Sequence, residues 1–148
     1  MRHLIVLAVL ALTACGRAAT PACPSPPAGM PGAPVNCIGG SMTTDSPQYA
    51  PGATVTIHQV ATNVCSTPIG VGVACGAPPV QVSTTDGRLV WKTPQMGIVC
   101  PALARLLQPG ESLSYSQAWP IATETATGLY RISGAAEYGT YWVAVCRP

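Results

Sequence analysis

Charge is scarce in this sequence, and phenylalanine is absent from it. Seven Lys or Arg and five Asp or Glu are spread over 148 residues. A net charge of +2, with no run of Lys or Arg, lacks the basic footprint that a nucleic acid requires, so no such partner is expected. Phosphate loops and dinucleotide fingerprints are missing. There is no C-x-x-C and no H-x₃-H, so the spacing of a zinc site is missing too, and no metal or cofactor is expected. Beyond residue 14 the chain has one His, His58, and one Lys, Lys92. No G-x-S-x-G occurs: Gly39-Gly40-Ser41 continues with Met42-Thr43, which breaks the pattern of a nucleophile elbow. A catalytic set is therefore not assembled by the sequence, and a non-enzymatic protein is expected.

What is present is apolar residues, proline, glycine and cysteine. A 48% apolar content is too rich for a disordered chain, and the length suits one ordinary domain. Seven Cys point to an oxidising compartment.

The first residues carry an address. Met1-Arg2-His3 is a short basic start, and Leu4 to Ala14 is eleven residues without charge. As a helix that run would reach roughly 16 Å, about half of a ~30 Å hydrocarbon core, which fits the apolar region of a signal peptide and not a span. Leu12-Thr13-Ala14-Cys15-Gly16 ends it and resembles the bacterial lipoprotein signal, the lipobox. The resemblance implies cleavage after residue 14, lipid on Cys15 and anchoring in a bacterial cell envelope. Gly16 stands where that family's inner-membrane retention signal has Asp, which implies the outer membrane if the host has one, with the domain facing the periplasm or the surface. Acyl chains contribute about 0.8 kcal/mol per buried CH₂, so two or more hold a protein stably.

Residues 15–36 read as the lipidated Cys followed by a tether. Residues 16–36 hold six Pro and three Gly without strand or helix period. Extended at about 3.1 Å per residue they would hold a domain roughly 65 Å from the lipid. The mature chain from Cys15 has six basic residues against five acids, net +1. With Cys15 taken by lipid, six cysteines remain: Cys23, Cys37, Cys65, Cys75, Cys100 and Cys146. They allow three disulfides. The spacing favours a local bridge Cys65–Cys75; of the pairings open to the other four, Cys23–Cys37 with Cys100–Cys146 is the one expected.

From residue 37 to 148 the texture is that of a β domain. Ala53 to Asn63 is a β-branched run with Val55 and Ile57 on one face. Asp86-Gly87 separates two strand-like runs, 80–83 and 89–91, and is a strong hairpin signal. Pro101 to Gln108 reads equally as a helical turn or a strand. Ser112 to Trp119 alternates, with Leu113, Tyr115 and Trp119 on one face. Residues 129–133 and 140–146 read as a closing hairpin. Short strands with frequent turns argue for an antiparallel β-sandwich of about seven strands. Its expected core is Val55, Ile57, Val80, Val82, Trp91, Leu113, Tyr115, Trp119, Tyr130, Ile132, Val143 and Val145. His58 is expected at a surface or edge. Trp142 alternates with Tyr141, Val143 and Val145, so either it or that set faces out; an exposed Trp142 beside Tyr138 is the first candidate contact patch.

The order of motifs resembles the BsuPI family, named for a bacterial intracellular proteinase inhibitor. The motifs are Tyr49-x-Pro51-Gly52, Asn63, Asp86-Gly87-x-x-x-Trp91, Leu107-x-Pro109-Gly110-Glu111-Ser112 before a strand ending in Trp119, and Gly128-x-Tyr130. The likeness covers roughly residues 47–135. It implies an immunoglobulin-like fold. Two functions follow as expectations. One is an envelope lipoprotein whose sandwich binds a protein or another envelope component. The other is an extracytoplasmic proteinase inhibitor that offers Arg88 or Arg105 to a protease.

Overall fold

A computed structural model describes residues 22–73, 77–94 and 103–147. The strand Thr54–Asn63 sets the architecture. Val55, Ile57, Gln59, Ala61 and Asn63 alternate inward along it and are all buried. Side chains of a strand alternate between faces, so such a run places one apolar face on a core. The chain order is β1 (Ile38–Thr44), β2 (Gln48–Tyr49), β3 (Thr54–Asn63), β4 (Ile69–Val73), β5 (Gln81–Thr84), β6 (Leu89–Lys92), β7 (Leu103–Leu107), β8 (Ser112–Pro120), β9 (Gly128–Ser133) and β10 (Thr140–Val145), with one 3₁₀ turn at Ala136–Tyr138.

The protein is an all-β sandwich. One sheet has the order β1-β3-β8, the other β2-β10-β9-β5-β6, and β4 and β7 form a separate two-stranded ribbon. The pairs are antiparallel except β2 with β10, which is parallel. The first segment therefore leaves one sheet after β1 and joins the other as β2. The expected hairpins β5–β6 and β9–β10 form, and the segment with two readings is a strand, β7. Gly87 supplies the positive φ, 86°, of the β5–β6 turn.

The core lies between the two sheets. Val55, Ile57, Val82, Ile132, Val143 and Val145 are fully buried, and each aliphatic side chain contributes about 2 kcal/mol of transfer free energy. Trp119 of β8 meets Tyr130 of β9 across the sandwich, with ring centroids 5.8 Å apart and planes tilted by 55°. That geometry adds about 1 kcal/mol beyond burial. Three expected core residues sit at its margin: Trp91, Leu113 and Tyr115 are half-buried. Trp91 and the other two lie on β6 and β8, which are edge strands, so neighbours cover them from one side only.

Two sequence expectations are corrected here. The Pro-rich segment is no free tether from residue 22 onward. Met30 exchanges two backbone hydrogen bonds with Thr140 at 2.9 Å, and Cys23 is bonded to Cys146 at the other end of β10. The segment thus runs back along β10. The pairing of cysteines also differs. The structure joins Cys23 to Cys146 and Cys37 to Cys65, with Cα separations of 5.6 and 5.3 Å. Cys65–Cys75, Cys23–Cys37 and Cys100–Cys146 are therefore overturned. Register is the cause. β1 lies antiparallel to β3 with Ile38 opposite Asn63, which brings the residues just outside that pair, Cys37 and Cys65, together. Cys75 and Cys100 themselves lie outside the described residues.

Candidate interaction surfaces

The first group of polar residues with a built environment is the β1–β2 crossover. Tyr49 is buried, and its hydroxyl donates to Asp45 Oδ1 at 2.6 Å. The same carboxylate oxygen accepts the Thr56 N–H at 2.8 Å, and the Tyr49 oxygen accepts the Ser46 N–H. The Tyr49 hydroxyl and then the Thr56 amide hold the Asp45 carboxyl below its ordinary value. Burial, and then the donation to Asp45, pushes the Tyr49 phenol up to about 12. Both groups are used up in holding the chain, so neither is poised as an acid or base.

The second is the junction between β3 and the β4–β7 ribbon. Asn63 is buried and spends its whole amide there. Nδ2 donates to the carbonyls of Thr67 and Leu107 at 2.8 and 3.0 Å, and Oδ1 accepts the Cys65 N–H at 2.9 Å. It therefore pins the loop that carries the Cys37–Cys65 bridge. Val35 and Ile38 pair across a two-residue turn in which Asn36 and Cys37 have φ of 47° and 68°. Mirror-image turns require positive φ at both central residues. Asn adopts it readily, and Cys37 is held there by its disulfide.

The third is a buried amide network between the sheets. Gln117 Nε2 donates to Gln59 Oε1 at 2.7 Å and to the Pro78 carbonyl at 2.9 Å. Its Oε1 accepts from the Thr93 hydroxyl at 2.6 Å, and that hydroxyl accepts the Val80 N–H. Gln59 Nε2 is buried and has no partner among the described residues.

The candidate contact residues fall in different places. Arg88 is exposed on the β5–β6 turn, where Thr84 donates its N–H to the Arg88 carbonyl and its hydroxyl to Asp86. Arg105, on β7, pairs with Glu111 at 2.6 Å. Glu111 also accepts the Gln108 N–H, and that bond, with the guanidinium, lowers its carboxyl. Arg105 is thus engaged locally and not extended from a loop. Trp142 is half-buried, opposite Arg131 on β9.

Tyr138 corrects the expected Trp142–Tyr138 patch. It is 4% exposed and belongs to the core, and burial pushes its phenol up to about 12. The 3₁₀ turn folds the β9–β10 connection back over the end of the sandwich. Gly40 permits this approach, because a Cβ there would collide with the Glu137 carbonyl. A groove of about 210 Å³ opens beside it, lined by Met30, Met42, Tyr138 and Tyr141 among others.

His58 lies at the surface as expected, on the outer face of β3, the central strand of its sheet. The ring stands on the outer face with Nδ1 3.0 Å from Ser116 Oγ. No carboxylate hydrogen-bonds it among the described residues. Nor do three His, Cys, Asp or Glu side chains gather into a metal-holding group among those residues. No helix among them is long and apolar enough to cross a membrane.

No family model matches this chain, and no curated protein matches it. Some solved structures align with it at low similarity. A β-glucosidase from Erythrobacter marinus aligns with a TM-score of 0.45 at 10% identity, over 73% of this chain and 15% of that one. Spo0M, a sporulation control protein from Bacillus subtilis, aligns with a TM-score of 0.45 at 10% identity, over 77% of this chain and 51% of that one. The CARDB domain of a Pyrococcus furiosus protein, solved with di-metal ions, aligns with a TM-score of 0.42 at 13% identity, over 73% of this chain and 86% of that one. The chain therefore spans only a small part of the β-glucosidase, and no activity is transferred from any of the three.

Two disulfides and an all-β sandwich define a domain suited to an oxidising, extracytoplasmic compartment.

Proposed function

We propose that the chain is a bacterial cell-envelope lipoprotein, lipidated at Cys15, whose sandwich is a non-enzymatic binding module for another envelope or extracellular component. The observation that carries this reading is the lipobox Leu12-Thr13-Ala14-Cys15 set directly against a disulfide-bridged domain. Cys23 is bonded to Cys146, so eight residue steps separate the lipid from the domain. They can reach at most about 28 Å, less than half of the span expected for a free tether. The reading places a rigid domain close to the membrane surface. Its polar clusters support a binding module over an enzyme, because Asp45, Tyr49, Asn63 and Gln117 are consumed in internal bonds.

Metabolic labelling with radioactive palmitate and detergent phase partition tests it. Wild type is expected to be labelled and to enter the detergent phase. Cys15→Ser is expected to lose the label and stay unprocessed or aqueous. Equal partition of the two proteins contradicts lipidation.

The second reading is an extracytoplasmic inhibitor of BsuPI type. The observation in its favour is Arg88, exposed on a hydrogen-bonded turn. A rigid loop enters a protease cleft at low ordering cost. Stoichiometric inhibition of a trypsin-like enzyme, lost in Arg88→Ala, would support it. Intact protein that inhibits no enzyme of a panel removes it.

A further inference from the structure

The outer face of the five-stranded sheet carries residues in register across four strands. Trp142, Arg131, Ser83 and Leu89 stand in one row, each directly opposite the next. A second row contains Ser133, Gln81 and Lys92, two residues away on β5 and β9 and three on β6, where a β-bulge at Val82/Ser83 shifts the register. Their chain neighbours Val82, Ile132 and Val143 are fully buried, so Trp142, Arg131, Gln81 and Lys92 face outward, while Ser83, at a β-bulge, is itself buried. Arg131, Gln81 and Lys92 are exposed, Leu89 is 51% exposed, and Trp142 is half-buried.

The charges on this face are one-sided. Arg131, Lys92 and, at the adjoining turn, Arg88 have no carboxylate within salt-bridge distance among the described residues, where the single ion pair is Arg105–Glu111. Asp86 stays ionised at that same turn and acts on Arg88, so the charges with no acid beside them are those of Arg131 and Lys92. Unneutralised like charges on a flat face raise the local concentration of anions. The size of the face selects among anions. Three strand spacings of ~4.8 Å by two rows ~7 Å apart, with side-chain margins, make about 200 Å². A standard protein interface needs about 800 Å² per partner. A short chain of sugars fits the smaller area.

We propose that this face binds an acidic polysaccharide. The Trp142 indole packs on a sugar ring, Arg131 and Lys92 meet its carboxylates, and Gln81 and Ser133 bond to ring hydroxyls. Guanidinium suits a carboxylate because its planar fork offers two parallel donors. The proposal rests on the binding-module reading and names its ligand class.

The test uses the full oxidised chain and tetragalacturonate, followed by calorimetry and tryptophan fluorescence. Its carboxyl-reduced, uncharged counterpart is the control. Tetragalacturonate is expected to bind and to perturb the fluorescence, and the uncharged tetramer to bind at least tenfold more weakly. Arg131→Gln and Trp142→Ala are each expected to lose at least tenfold in affinity, with thermal unfolding showing that both still fold. Arg147→Gln, outside the face, is expected to bind as wild type does. Absence of tetragalacturonate binding at millimolar concentration overturns the proposal. So does undiminished binding by both face variants, or equal binding of tetraglutamate at the same residues, which would assign the face to an acidic protein. None of these results alters the palmitate and partition outcomes, so failure here is distinguishable from failure of the lipoprotein reading.

Discussion

The Tyr49 hydroxyl donates to Asp45 Oδ1 at 2.6 Å, and this bond closes the step by which the chain leaves one sheet for the other. Asp45 follows β1 and Tyr49 ends β2, four residues on. The carboxylate also accepts the Thr56 N–H of β3, so one side chain ties the crossover to the central strand of the first sheet. The bond works only while Asp45 is ionised and Tyr49 keeps its proton.

Stability should therefore fall at both ends of the pH scale. The Asp45 carboxyl is lowered in the folded protein, so its contribution is complete above the ordinary carboxylate range and is lost as pH falls through the lowered value. Tyr49 and Tyr138 are raised to about 12, so their contribution is complete below pH ~10 and is lost between there and about 12. Denaturant midpoints measured from pH 2 to 12 should show a plateau between about 5 and 9. A midpoint that stays constant from pH 9.5 to 12 contradicts the burial of these phenols.

Asn63→Ala should be severe for a surface-loop neighbour. It removes three hydrogen bonds from a buried site and leaves the Leu107 carbonyl and the Cys65 N–H without their partner. The expected loss is about 3 kcal/mol, read from urea unfolding. A loss under about 1 kcal/mol would mean that the loop does not depend on this amide.

The amide network gives an asymmetric pair. Gln117→Ala should cost about 2 kcal/mol, because Thr93, Gln59 and the Pro78 carbonyl all lose a partner. Gln59→Met should fall within about 1 kcal/mol of wild type, since it also removes the unpartnered Nε2. Equal losses from the two substitutions would contradict the network as described.

Opening the Cys23–Cys146 bridge should be costly. It joins residues 123 apart, and loop-closure entropy predicts a loss of about 5 kcal/mol for Cys23→Ser combined with Cys146→Ser. Limited proteolysis should then cut within residues 24–29, which the wild type protects. An unchanged melting temperature and cleavage pattern would show that the bridge restrains nothing.

Much of the sandwich was legible from period and turn chemistry. Val55 and Ile57 gave the inward parity of β3, and following that parity two residues at a time also places Gln59 and Asn63 inside. They were missed because polar side chains were not extended along it. Asp86-Gly87 placed the β5–β6 hairpin correctly, since the positive φ that the turn needs at Gly87 is written in local sequence. The disulfides were illegible for the opposite reason. Cys37 meets Cys65 through the β1–β3 register, and Cys23 meets Cys146 through an edge contact of β10, and neither relation is local. The same holds for the Pro-rich segment, whose composition suits a spacer until Thr140 offers it a backbone edge. Tyr138 turned inward because Gly40, far off in sequence, leaves room for the 3₁₀ turn.

A mass-spectrometric map of the protein extracted from bacterial membranes, digested with pepsin without reduction, tests the account most directly. The N-terminal fragment should begin at Cys15 and carry acyl chains. Cys23 should be joined to Cys146 and Cys37 to Cys65. An unmodified fragment beginning at Met1, or Cys23 found with any partner other than Cys146, would contradict a lipid-anchored domain held close to its membrane.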